Sequence, residues 1–109
     1  MKDFVVDAEG PSGLFGVFED DGDTGYLYLY DPNRRQIFQH LHIYDCSPKV
    51  EVAPEEVEVM WSREGRKFGV KIWGKMRGIV DVAENREGRV WLEDKESPGI
   101  ADPEWLKGF

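Results

Sequence analysis

Hydrophobic and polar side chains alternate with a period of two over most of this chain. Gly25-Tyr26-Leu27-Tyr28-Leu29-Tyr30 sets three tyrosines against two leucines. Ile37 to Tyr44 sets Ile37, Leu41 and Ile43 against Phe38, His40, His42 and Tyr44, with Gln39 the one discord on the aliphatic side. Successive side chains on a strand point to opposite faces, so each segment predicts a strand with one aliphatic and one aromatic face. Further alternating runs cover 56–61, 66–73 and 76–83, and shorter ones cover 4–8, 14–19 and 90–92.

The segments between these runs carry turn chemistry. Asp20-Asp21-Gly22-Asp23-Thr24-Gly25 offers small residues and glycines that tolerate positive φ, as a hairpin loop requires. Asp31-Pro32-Asn33-Arg34-Arg35 supplies the next loop, with proline fixing φ at a turn position. Glu64-Gly65 and Gly74-Lys75 mark two tighter reversals, so 56–83 reads as a three-stranded meander. Cys46 to Pro54, with prolines at 48 and 54, reads as a long crossing between two halves. One helix start stands out: Asp102 as N-cap, Pro103 at the first helical position and Glu104 in the first turn, leading into Trp105-Leu106. The expected fold is mainly antiparallel β, in a single domain over 1–109. It is a curved sheet, small sandwich or partly open barrel of seven to eight strands with one short C-terminal helix.

Pairing sharpens the picture. A hairpin whose paired residue numbers sum to 66 places Tyr28 opposite Phe38, Tyr26 opposite His40 and Leu29 opposite Ile37. That register keeps the aliphatic side chains on one face and gathers Tyr26, Tyr28, Tyr30, Phe38, His40, His42 and Tyr44 on the other. Three readings of this face compete. It can be a second polar layer covered by Trp105 and the C-terminal segment, or an open patch of rigid rings for a ligand or protein partner. It can also be a metal site, because His40 and His42, two apart on a strand, project to one side, with Asp45 and Cys46 nearby in sequence.

Charge and composition narrow the function. Acids outnumber bases by 22 to 14, giving a formal charge of -8. Residues 1–60 hold 13 acids against 4 bases, whereas residues 61–109 are nearly balanced. Such a surface repels phosphate backbones and disfavours nucleic acid, apart from a basic strip at Arg63, Arg66, Lys67 and Lys71. No apolar run reaches the ~20 residues that span a bilayer, no basic cluster suits an anionic membrane, and the acidic N-terminal segment lacks the features of a leader. The single cysteine, Cys46, forms no intramolecular disulfide. Together these suggest a cytoplasmic protein.

Catalytic and cofactor signals are sparse. The acidic loop fails as a calcium loop: from Asp21 the alternation reaches Asp23 and then Gly25, and the twelfth position is Pro32. No serine stands in a nucleophile elbow and no glycine loop cradles phosphate. Cys46 lies too far along an extended segment from His40 or His42 to form a thiolate–imidazole pair. No cofactor is implied.

The strings FEDDGDTGYLYLYD (18–31) and HLHIYD (40–45) resemble the uncharacterised bacterial family named domain of unknown function 2251, over about residues 15–85. The resemblance implies a small bacterial cytoplasmic protein and brings no activity, cofactor or catalytic residue with it. The residues themselves favour a non-enzymatic binding module, of which an immunity-like inhibitor of a basic toxin is one version. It would use the Tyr/His face flanked by Asp20, Asp21 and Asp23 to hold a protein partner or a second copy of the chain. The rival is a metal-binding protein or metal-dependent enzyme centred on His40 and His42.

Overall fold

In the computed structural model, which describes residues 3–109, the alternating segments form two antiparallel meanders. Met1 and Lys2, the start of the segment read against a leader, lie outside the described residues. The first sheet contains β1 (Phe4–Glu9), β2 (Phe15–Asp20), β3 (Thr24–Asp31) and β4 (Gln36–Asp45) in that order. The second contains β5 (Val57–Trp61), β6 (Lys67–Ile72), β7 (Lys75–Asp81) and β8 (Arg86–Arg89), again in chain order. The stretch 46–56 crosses between them and ends in a 3₁₀ turn, Pro54–Glu56, where the Glu56 carboxylate accepts the Ala53 N–H at 2.9 Å.

The sheets stack face to face as a sandwich, β1 over β5 and β4 over β7 and β8. Phe18, Leu27, Leu29, Ile43 and Tyr44 of the first sheet meet Val57, Val59, Phe68, Val70, Ile72 and Val80 of the second. Phe18, Leu27, Phe68, Val70 and Ile72 are fully buried, each worth roughly 1.5–3 kcal/mol of transfer free energy. The sandwich alternative is therefore the one realised. Hydrogen bonds also join the sheets, as where the Trp61 indole N–H donates to the Ala8 carbonyl at 2.8 Å.

Two expectations change. The run 90–92 is not a strand: β8 ends at Arg89, and the following residues close the side of the sandwich. There the Val90 N–H donates to the Arg77 carbonyl and the Leu92 N–H to the Ile43 carbonyl, bridging both sheets. The second change concerns the hairpin of β3 and β4, whose register is not uniform. Its pairs are Gly25 with Tyr44, Tyr26 with His42, Leu27 with Leu41, Leu29 with Phe38 and Tyr30 with Ile37. Two bulges separate them. Ile43 is the extra residue of one, and His40 and Gln39 together oppose Tyr28 at the other, where Gln39 takes φ 54°. Each bulge shifts the alternation by one residue, so no single register holds along β4.

The C-terminal segment covers the outer face of the second sheet, not the aromatic face of the first. Its helix α1 (Pro103–Leu106) starts as expected, the Asp102 carboxylate accepting the Glu104 N–H at 2.9 Å. The Trp105 ring lies on Gly88, where a Cβ would fall 2.8 Å from it. The Lys67 ammonium donates to the carbonyls of Glu104 and Trp105 at 3.2 and 3.0 Å. Arg77, fully buried, ties residues 97–98 down by donating to the carbonyls of Ser97 and Pro98.

Gly25 tests the hairpin geometry. A Cβ there would stand 2.3 Å from the Tyr44 ring, which is pinned by its hydroxyl at 2.6 Å from Asp20. Gly25→Ala is expected to lower stability by roughly 1–3 kcal/mol, an overpacking cost, in equilibrium urea unfolding. An unchanged midpoint would mean that Tyr44 does not lie over this position.

Candidate functional site

The outward side of the first sheet is set by parity. On β2 and β3, Phe18, Leu27 and Leu29 turn inward, so Phe15, Val17, Glu19, Tyr26, Tyr28 and Tyr30 turn outward. Tyr26 is paired with Glu19 and His42, Tyr28 with Val17, and Tyr30 with Phe15 and Ile37. Val5, 55 % exposed, and Ile37, 57 % exposed, stand at opposite corners of this face. With the C-terminal segment on the other sheet, no element among the described residues is stacked over it, and at its centre Val17 and Tyr28 are buried by their neighbours on the face, at 5 % and 8 % exposure.

The rings are ordered by one another. Tyr26 stacks on Tyr28 with centroids 5.9 Å apart, and His40 lies 4.5 Å from Tyr26. His42 and Trp91 make an edge-on contact at 4.9 Å, and the Arg89 guanidinium lies over that indole at 4.7 Å. Among the ring pairs such contacts add about 0.5–1.5 kcal/mol beyond area burial, which fixes the rings before any partner arrives. The Tyr28 hydroxyl donates to the Glu19 carboxylate at 3.1 Å. Burial, reinforced by Glu19, pushes the Tyr26 phenol up to about 12 and raises that of Tyr28 further. Both phenols are therefore neutral hydrogen-bonding groups at physiological pH.

Of the residues expected on this face, the structure brings together Tyr26, Tyr28, Tyr30, His40 and His42. Phe38 and Tyr44 are elsewhere. Beyond the Gln39 bulge Phe38 pairs with Leu29 and packs against the core, while Ile37, expected inside, takes the outward place. Beyond the Ile43 bulge Tyr44 turns inward over Gly25 and is fully buried. The alternation of β4 was legible in the sequence, but the two slips were not. Gln39, the discordant residue, was the one signal of the first.

The acidic hairpin also differs from expectation. Asp20 faces inward at 4 % exposure and accepts from Gly22 N–H at 2.8 Å, Tyr44 O–H at 2.6 Å and the Cys46 thiol at 3.6 Å. Asp21 folds back on its own turn, accepting from the N–H groups of Thr24 and Asp23, which hold its carboxyl below the usual carboxylate range. Asp23 alone of the three is exposed without such a bond. Glu19, not singled out from the sequence, is the acid within the face. Burial, with Asp20 beside it, pushes the Cys46 thiol up to about 11, so Cys46 is not a nucleophile at neutral pH.

His40 and His42 do share a side, yet each imidazole is engaged separately. Nε2 of His42 stands 3.0 Å from both the Tyr44 carbonyl and Oδ1 of Asp45. Among the described residues no group of three or more His, Cys, Asp or Glu side chains is placed to hold a metal ion. Nor, among them, is any helix long and apolar enough to cross a membrane.

The sheet face, its hairpin and the crossing all fall within residues 2–96, the span over which the chain matches the family described as an uncharacterized protein conserved in bacteria, domain of unknown function 2251. The chain belongs to this family. An uncharacterized protein of Haemophilus influenzae is 33 % identical over 70 residues, 62 % of this chain and 44 % of that protein. The chain thus spans less than half the length of this relative. No solved structure matches it significantly. Family membership bears out the resemblance carried by residues 18–31 and 40–45, and it supplies no activity.

The phenols of this face set an alkaline limit. Unfolded tyrosines ionise near 10, and Tyr26 and Tyr28 of the folded face do so higher, so the stability these two confer is complete below about pH 10. It is lost as pH rises through the elevated values. Glu19→Gln removes the charge that helps to hold Tyr26 and Tyr28 neutral. Titration followed at 295 nm should show phenolate appearing at lower pH in this variant and a smaller alkaline loss of stability. Superimposable curves would mean that Glu19 does not act on these rings.

Proposed function

We propose that this chain is a non-enzymatic binding module that holds a protein partner against the outer face of the first sheet. The observation that carries this reading is the array of Tyr26, Tyr30 and His40 around the buried Tyr28, with no described element stacked over it because the C-terminal segment is spent on the other sheet. Tyrosines offer large contact area with little rotamer entropy to lose, and their hydroxyls bond across an interface. The partner fitted to this surface is basic. Glu19 lies within the array, Asp7 and Glu9 border it on β1, and Asp23 and Asp45 are exposed at its end. A chain carrying -8 also repels its own copies, which weighs against a homodimer through the same face. An immunity-like inhibitor of a basic toxin is the specific form this reading takes: acids speed the encounter and rings hold the complex.

A photoreactive amino acid placed at Tyr30 or His40, and at the exposed Glu58 of the second sheet as control, tests the reading in the living bacterium. Adducts with a basic protein are expected from the first two positions only. Tyr26→Ala should weaken capture about tenfold or more, as loss of an anchoring ring does. Adducts solely with the chain itself, equal adducts from Glu58, or indifference to Tyr26→Ala would each dismiss it.

A further inference from the structure

We propose that the cavity between the start of β1 and the crossing segment binds an organic cation, an ammonium or guanidinium carried on an aliphatic stem. This cavity, of about 710 Å³, lies within the range of sites for small molecules. Phe4, Val50 and Val52 give it apolar walls, Asp20, Glu51 and Glu55 give it carboxylates, and none of the described residues lining it is basic. The site is separate from the aromatic face: Phe4 turns toward the cavity, while its neighbour Val5 turns toward the rings.

Asp20 makes the floor of this cavity and is the reason to expect a cation. Its oxygens are held by an amide, a phenol and a thiol, all neutral donors, and among the described residues no Lys, Arg or His stands within ion-pair distance. Buried charges in folded proteins are ordinarily paired, and this one opens onto a space large enough to admit its counter-charge. The Cys46 thiol serves there as a donor to Asp20. The carboxylates are spread around apolar walls and do not converge on a point. Cationic heads joined by methylenes match that distribution, each methylene contributing about 0.8 kcal/mol on burial.

Two sources supply this chemistry: a free aliphatic amine, or a lysine or arginine side chain presented by another protein. Titrating the ¹⁵N-labelled chain with 1,5-diaminopentane, a blocked lysine tripeptide and 1,5-pentanediol separates them. The amides of Gly22, Cys46, Val50 and Val52 should shift with a cation and not with the diol, and added salt should weaken the effect. Tighter binding of the diamine assigns the site to a free amine, and tighter binding of the peptide assigns it to a protein side chain. Asp20→Asn also disturbs Tyr44 and Gly22, so the exposed pair Glu51→Gln/Glu55→Gln carries the charge test and should weaken binding about tenfold. No shift at these amides with either cation, equal shifts with the diol, or an undiminished affinity in the double variant would overturn the proposal. The photocrosslinking of the aromatic face has no bearing on that outcome.

Discussion

Two stacked sheets have four faces, and a chain of this length covers three of them. The two inner faces bury each other through Phe18, Leu27, Phe68, Val70 and their neighbours. The third is covered by residues 99–109, which lay Trp105 on Gly88 and hydrogen-bond to Met76 through Ile100. What remains is the outer face of the first sheet, and its composition suits exposure. Tyrosines and histidines tolerate water at their polar atoms, where aliphatic side chains in the same places would form a patch prone to aggregation.

The inner layer imposes a second condition, on strand β4. It must supply aliphatic contacts to β7 through Leu41 and Ile43 and still bring Tyr44 inward to reach Asp20. A regular strand cannot do both, because neighbouring residues face opposite ways. The bulge at Ile43 resolves this by letting two consecutive side chains turn inward. The hydrogen bond between Tyr44 and Asp20 then joins the hairpin loop to the core, and Gly25 provides the space beneath the ring. At the far end of the strand the Gln39 bulge turns Phe38 into the core and leaves Ile37 outside. The aromatic face is thereby trimmed to its central part.

These same bonds separate the acids by role. Asp20 and Asp21 stand side by side in sequence, yet one is buried under the sheet edge and the other caps its own turn. Neither is a freely mobile surface charge. The negative potential over the rings therefore derives from Glu19, Asp7, Glu9, Asp23 and Asp45. Asp20 instead contributes to the cavity behind β1. Two surfaces with distinct chemistry thus arise from one hairpin, one presenting rings and the other a buried carboxylate.

Alternation and turn residues were enough to place seven of the eight strands, the long crossing at 46–54 and the helix start at Asp102, because these follow from local geometry and backbone preference. The three tyrosines of β3 were legible as one face for the same reason, since that strand runs without an interruption of its own. The face of β4 was legible only where its alternation survives, at His40 and His42. Tertiary packing decided the rest. Bulges lie where core contacts demand them, and no local pattern reveals that demand beyond the discord of Gln39. Which outer face the C-terminal segment would cover was likewise undetermined by the sequence, because a Trp-Leu pair docks on any apolar sheet surface. Gly88, with no side chain beneath the indole, and Lys67, bonded to the helix carbonyls, made the second sheet its place.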